Sequence, residues 1–183
     1  MSLSAVPPET GLFGNVCTGA GGGLTLGFWS NNNGKSAQFG NTTQANATLA
    51  FLTNLNLRNA TGSNFDPTTY AGFRTWLLNA TATNMAYMLS AQLAAMELNV
   101  RNGNVNGNQL IYAPGTTSAV NGFATVNAVM AEANTELGTL TGGLTVTAGA
   151  ERTYQEALKN ALDKANNNLT FVQSAPCAYS FAG

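Results

Sequence analysis

The chain has no histidine, only two cysteines, and just seven Lys/Arg and eight Asp/Glu among its 183 residues. Charged residues make up 8% of it, against about a quarter in an average soluble domain. Each shortage excludes something. Without histidine there can be no Ser-His-Asp or Cys-His nucleophilic site. Two cysteines alone cannot supply the four ligands of a structural zinc site. Seven scattered basic residues form neither the stripe that displaces counterions from nucleic acid nor the cluster that holds an anionic membrane surface. A membrane span is lacking too. The longest weakly polar window, Thr75 to Met96, is uncharged but carries Asn79, Thr81, Thr83, Asn84, Ser90 and Gln92, too much polarity for lipid. The opening "MSLSAVPPETG" lacks the basic start and apolar run of a secretion signal, and is compatible with a mature N-terminus.

What fills the space is Asn, Thr, Ala and Gly, with an apolar fraction of 44% and a net charge of −1. That apolar fraction and length suit one domain, residues 1–183, with a proper core. The surface is then amide- and hydroxyl-rich and nearly uncharged. It suits hydrogen bonding to neutral partners, either glycans or copies of the chain itself, and offers little charge repulsion to keep copies apart.

Cys17 and Cys177 lie near opposite ends. Either they are unrelated buried thiols or they pair, and pairing is the preferred reading. The closed loop would be worth about 5 kcal/mol in a chain-entropy treatment, and the bond would imply an oxidising compartment.

Apolar periodicity predicts a mostly α fold of about four helices. Residues 1–40 read as an irregular arm and anchor loop, 41–168 as the helical core, and 169–183 as an extended tail. The first helix runs from Asn41 to about Asn56, with Asn41 and Gln44 in a capping-box pattern. The second starts at Asp66-Pro67 and continues to about Val100; apolar on most sides, it reads as a buried central helix. "RNGNVNGNQLIYAPG" reads as turns followed by a short strand, leaving room for a β-hairpin. A third helix is expected over about Ser118–Leu137, and a fourth is capped by Thr147 and ended by the asparagines at 166–168. Glu151 and Lys164 sit where that helix's dipole favours them. Phe28, Trp29 and Trp76 are the expected structural anchors.

No catalytic motif emerges. Gly34-Lys35-Ser36 resembles the end of a phosphate-binding loop, but the glycine required five positions earlier is Trp29. Asn102, Asn104, Asn106 and Gly107 outline a calcium loop over Asn102–Asn108. Its twelfth position is Ala113, however, and neutral amides compensate a dication poorly. Among the eight carboxylates, Glu97 follows the central apolar helix and is expected to be buried, paired with Arg74 or Arg101. A divergent glycosidase would need two such carboxylates close together. Five Asn-x-Ser/Thr sequons, at Asn41, Asn46, Asn59, Asn79 and Asn168, carry little weight in a chain so rich in both residues. Tyr112, Tyr179 and Phe181 are the candidates for an aromatic glycan contact.

Three segments resemble a family of secreted bacterial surface or matrix proteins: "CTGAGGGLTLGFWSNNNG" (Cys17 to Gly34), "LSAQLAAMELNVRNG" (Leu89 to Gly103) and "ALDKANNNLTFVQSAPCAYSF". They are similar to that family's Cys-Thr lead into Gly-Tyr/Phe-Trp, its helix ending in Leu-Asn-x-x-Asn-Gly, and its closing helix and cysteine. The family often continues with Lys-Asn-His where this chain has Ser30-Asn31-Asn32, so no role of that histidine carries over. The resemblance implies an exported, surface- or matrix-associated protein. Taken with the composition, it leads to the expectation of a non-enzymatic extracellular or cell-surface structural or adhesive protein, without cofactor or metal, that assembles with copies of itself. A binding module for neutral polysaccharide is the alternative, and a divergent carboxylate-dependent glycosidase a more distant one.

Overall fold

A computed structural model describes residues 16–140 and 144–174. The centre of the molecule is one helix, α5 (Met85–Arg101), of whose 17 residues 13 are buried. Two further helices, α6 (Val126–Thr139) and α7 (Gly149–Asn166), pack along it. Four shorter ones precede it: α1 (Leu26–Trp29), α2 (Asn32–Phe39), α3 (Thr42–Thr53) and α4 (Tyr70–Leu78). A small antiparallel sheet completes the fold. It is formed by β1 (Thr18–Gly19), β2 (Leu110–Tyr112), β3 (Phe123–Thr125) and β4 (Phe171–Val172), in the order β1-β4-β2-β3.

The expected fold of about four helices is therefore corrected to seven helices and a four-stranded sheet among the described residues. The end-to-end disulfide expected with it cannot be placed, because Cys177 lies outside the described residues. The other corrections come from local chemistry. Residues 26–39, expected to be irregular, hold α1 and α2. The Thr25 hydroxyl accepts from the Phe28 N–H, and the Asn31 side chain accepts from the N–H groups of Asn33 and Gly34. Asparagines that look like loop residues are here helix caps. The Gly34-Lys35-Ser36 triplet lies inside α2, where a Cβ on Gly34 would sit 2.4 Å from the Phe28 carbonyl oxygen.

The long helix expected from Pro67 to Val100 is two helices. α4 begins with Thr69, not Asp66, as its cap. Between the two, "NATATN" at 79–84 offers side chains that bond to nearby backbone. Asn84 uses that capacity fully. Its Oδ1 accepts from Ala86 N–H at 3.2 Å and from Val146 N–H at 3.0 Å, and its Nδ2 donates to the carbonyls of Asn59 and Ala60. One asparagine thus starts α5 and fastens two loops to it.

The third expected helix began too early. Val120 is 74% exposed, and Asn121-Gly122 forms a tight reversal with φ of 54° and 83°. Val120 and Phe123 exchange backbone hydrogen bonds across it at 2.9 and 3.0 Å. That is the geometry an Asn-Gly pair favours in a two-residue hairpin turn. β3 follows, and α6 starts only at Val126, capped by Thr125. The expected Thr147 cap is also replaced: Ala148 precedes α7 without a side-chain bond.

Aromatic rings fill the space between α2, α4 and α5. Trp76 stacks on Phe65 with centroids 4.3 Å apart, and Phe73 and Tyr87 flank it. The Trp76 indole donates to the Arg58 carbonyl at 3.1 Å. The buried Arg58 guanidinium donates to Asn64 and, through Nε and Nη2, to the Leu137 carbonyl near the end of α6, where the helix dipole favours a cation.

Candidate functional site

Polar groups gather at three places in the described structure. The first is a buried amide network. Asn99 Oδ1 accepts from Leu24 N–H at 3.1 Å and from the Trp29 indole at 3.2 Å; its Nδ2 donates to the Leu24 carbonyl and to Asn166 Oδ1, each at 2.9 Å. Asn166 in turn donates to both the backbone and the side-chain oxygen of Gln92. Asn168 clasps the glycine segment, accepting from Gly21 and Gly23 N–H and donating to the Gly23 carbonyl. Every one of these groups is satisfied by the protein itself, so the network is an internal fastening. The glycines are there for close approach. A Cβ on Gly21 would lie 2.2 Å from the Phe171 ring, on Gly22 1.9 Å from the Asn104 oxygen, and on Gly23 2.1 Å from the Ala165 oxygen.

The second place is a cavity of about 350 Å³ beside α6, lined by Glu132, Glu136 and Tyr154 with Thr117, Ser118 and neighbouring threonines. Glu132 accepts from the Thr117 and Ser118 N–H groups at 2.6 and 2.7 Å and from the Tyr154 hydroxyl at 2.6 Å. Burial alone would raise this carboxyl, but the donors outweigh it and hold it below the ordinary carboxylate value. Glu136 accepts from Gln155 Nε2 at 3.0 Å. The Ser118 hydroxyl lies buried beside Glu132 without a hydrogen bond in good geometry. A carboxylate stabilised in its charged form is a poor general acid, and Glu132 serves to tie the 117–118 loop to α6. In the sequence both belong to the eight carboxylates that read mostly as exposed or capping helix residues. The available signal was two glutamates one turn apart with no basic neighbour, an arrangement a helix tolerates when other donors compensate the charge.

The third place is a groove of about 300 Å³ between Tyr112, Pro114 and the outward side of α7. Tyr112 is 41% exposed. Its ring leans on Phe123 with centroids 5.3 Å apart and lies close over Gly122, where a Cβ would be 3.0 Å from Cε2. Of the expected glycan contacts, Tyr112 is therefore at a groove. Tyr179 and Phe181 lie outside the described residues.

The remaining expected residues are placed as follows. Trp29 is fully buried and Trp76 nearly so, while Phe28 is half-buried and meets Trp29 edge to face at 5.0 Å. Glu97 is partly buried, and burial raises its carboxyl above the ordinary value. It does not pair with Arg74 or Arg101: Arg74 donates to the Ser30 carbonyl, and Arg101 lies over the Phe51 ring. The one ion pair among the described residues is Lys159–Asp163. In the loop 102–108, the side-chain oxygens of Asn102, Asn104 and Asn106 each accept an N–H from the chain. Among the described residues no group of acidic and cysteine side chains is arranged to hold a metal ion, and no helix is long and apolar enough to cross a membrane.

No known protein family, curated protein or solved structure matches the chain.

Proposed function

We propose that this is a non-enzymatic structural or adhesive protein of the cell surface or extracellular space, which associates with copies of itself. The observation that carries the reading is the outer face of the small sheet. Leu110 and Tyr112 point outward from β2, opposite Thr125 and Phe123 of β3, and the highly exposed Val120 extends the same edge. Ile111, Ala124 and Phe171 occupy the inner face and are buried. An apolar strip on a surface almost without charge favours contact between copies, since neither desolvation of ions nor like-charge repulsion opposes it. The exported location is supported by the resemblance of the three segments to secreted surface proteins. Sedimentation over a wide concentration range tests the association. Reversible dimers or larger species that Val120→Ser weakens are expected, and a strict monomer at high concentration removes the assembly part of the proposal.

A second reading, a module for neutral polysaccharide, is favoured by one feature: the exposed Tyr112 ring at the edge of a groove whose other wall carries amide and hydroxyl side chains.

A further inference from the structure

The groove beside Tyr112 has a composition that specifies its occupant more closely than its size does. Its wall on α7 is a single outward stripe running from Thr153 to Lys164. Ala157 and Ala161 form a floor without side-chain bulk, and Glu156, Asn160 and Lys164 stand above it, each one helical turn from the next. At 1.5 Å per residue the stripe is about 16 Å long. The opposite wall is the Tyr112 ring and Pro114. The 112–115 loop approaches α7 closely, since a Cβ on Gly115 would lie 3.2 Å from the Ala157 methyl. The tyrosine is fixed before any ligand arrives, by Phe123 at its side and Gly122 beneath it.

We infer that this groove is a subsite for a neutral oligosaccharide lying along α7. This rests on the second reading above. A pyranose presents a flat C–H face to an aromatic ring and hydroxyls at its edges to polar side chains. Tyr112 supplies the ring, and Asn160, whose Oδ1 already accepts from Lys159 Nζ at 3.0 Å, supplies its amide donors, with Glu156 and Lys164 one turn to either side. Glu156 and Lys164 stand about 12 Å apart along the helix and leave the stripe without net charge, so the groove as a whole favours neither sign over a neutral ligand. Largely apolar walls with a few convergent polar groups are the usual make-up of a small-molecule site, and a preformed ring lowers the ordering cost of binding.

The test is an NMR titration of the whole chain with neutral oligosaccharides of cellulose, xylan, chitin and amylose, separately. At least one is expected to shift the amide signals of Tyr112, Asn160 and Lys164. Tyr112→Ala should weaken that binding at least about tenfold, whereas Tyr112→Phe, which keeps the ring, should retain it. Tyr112 also packs in the hairpin, so Asn160→Ala provides a variant at an exposed helix position where alanine favours folding; a loss of several-fold is expected there. Sugar binding that survives both Tyr112→Ala and Asn160→Ala overturns the groove assignment while leaving the polysaccharide reading in place. Absence of binding by all four sugars overturns both. Self-association that Tyr112→Ala abolishes, without any sugar binding, assigns the groove to a second copy and overturns the inference.

Discussion

Trp29 donates its indole N–H to Asn99 Oδ1 at 3.2 Å, and neither side chain has any exposed surface. The bond joins α1 to the central helix α5 across 70 residues of sequence. It is one of four made by the Asn99 side chain, two of them to the backbone of Leu24. Asn99→Ala should therefore cost about 3 kcal/mol, because the buried Trp29 indole and the partly buried Leu24 N–H lose their acceptor. Chemical denaturation measures the loss, and hydrogen exchange at the Leu24 amide should quicken out of proportion to the rest. Asn99→Asp should be as harmful, since the new oxygen would face the Leu24 carbonyl and Asn166 Oδ1.

Two positive-φ glycines, Gly22 and Gly103, differ in their surroundings, and alanine substitution should separate them. Gly22 has φ of +92° and its Cβ would fall 1.9 Å from a backbone oxygen. Gly22→Ala should cost about 3 kcal/mol or prevent folding, because strain and overlap add. Gly103, just past the end of α5, has φ of +76° but open space around it. Gly103→Ala should cost only about 1 kcal/mol, the conformational part alone. Equal effects in thermal melts would contradict the close packing of the glycine segment.

Glu132 makes stability fall in acid. Its folded pKa lies below the ordinary carboxylate value. Its contribution is therefore complete above the unfolded pKa and is lost as pH drops through the folded one. Oε1 accepts from Thr117 and Oε2 from Ser118, so Glu132→Gln turns an NH2 donor toward one of these two N–H groups and should cost about 2 kcal/mol near neutral pH. The gap between variant and parent should narrow as the pH is lowered below the carboxylate range.

Glu97 has the opposite sign. Burial raises its folded pKa, so the native state binds the proton more tightly and stability decreases as pH rises from the ordinary carboxylate value through the raised one. Glu97→Gln should raise the melting temperature at neutral pH and leave it nearly unchanged below the carboxylate range. A variant less stable than the parent at neutral pH would show that the carboxylate has a partner.

Individual elements of this architecture are legible in the chain, though the helix count and the sheet are not. Asn41 caps α3 as its spacing to Gln44 suggests, although Gln44 turns its side chain to the Ala37 carbonyl instead of closing the capping box. The α7 stripe of Leu158, Ala161, Leu162 and Ala165 is buried, and its termination at 166 is visible in the asparagines. What is hidden depends on distant partners. Val120 and Phe123 lie at helical spacing, so only the two positive φ values of Asn121-Gly122 distinguish a hairpin from a helix. Strands of two or three residues have no period to read; β1 and β4 exist because pairing between Thr18 and Val172 and between Gly19 and Phe171, from opposite ends of the described chain, supplies their bonds. The groove at Tyr112 belongs to the same class. The tyrosine could be singled out as an aromatic, but nothing local shows that residues 153–164 would form its opposite wall.

The β1–β4 pairing has a mechanical consequence. Thr18 pairs with Val172 and Gly19 with Phe171, and just outside them the Gln173 N–H donates to the Cys17 carbonyl at 2.9 Å. A force drawing residues 17 and 173 apart meets this short ladder at its open end, where its backbone bonds on their own yield in succession, as in unzipping, rather than together as in shear. Behind the ladder the load reaches the clasp of Asn168 on Gly21 and Gly23, whose three hydrogen bonds lie within one side chain and must share it. Cys17 sits at that open end, so a cross-link from its side chain would hold the ladder shut; once such a link is reduced, the β1–β4 ladder would give first, and the asparagine clasp would set the force at which the glycine segment leaves the helical core.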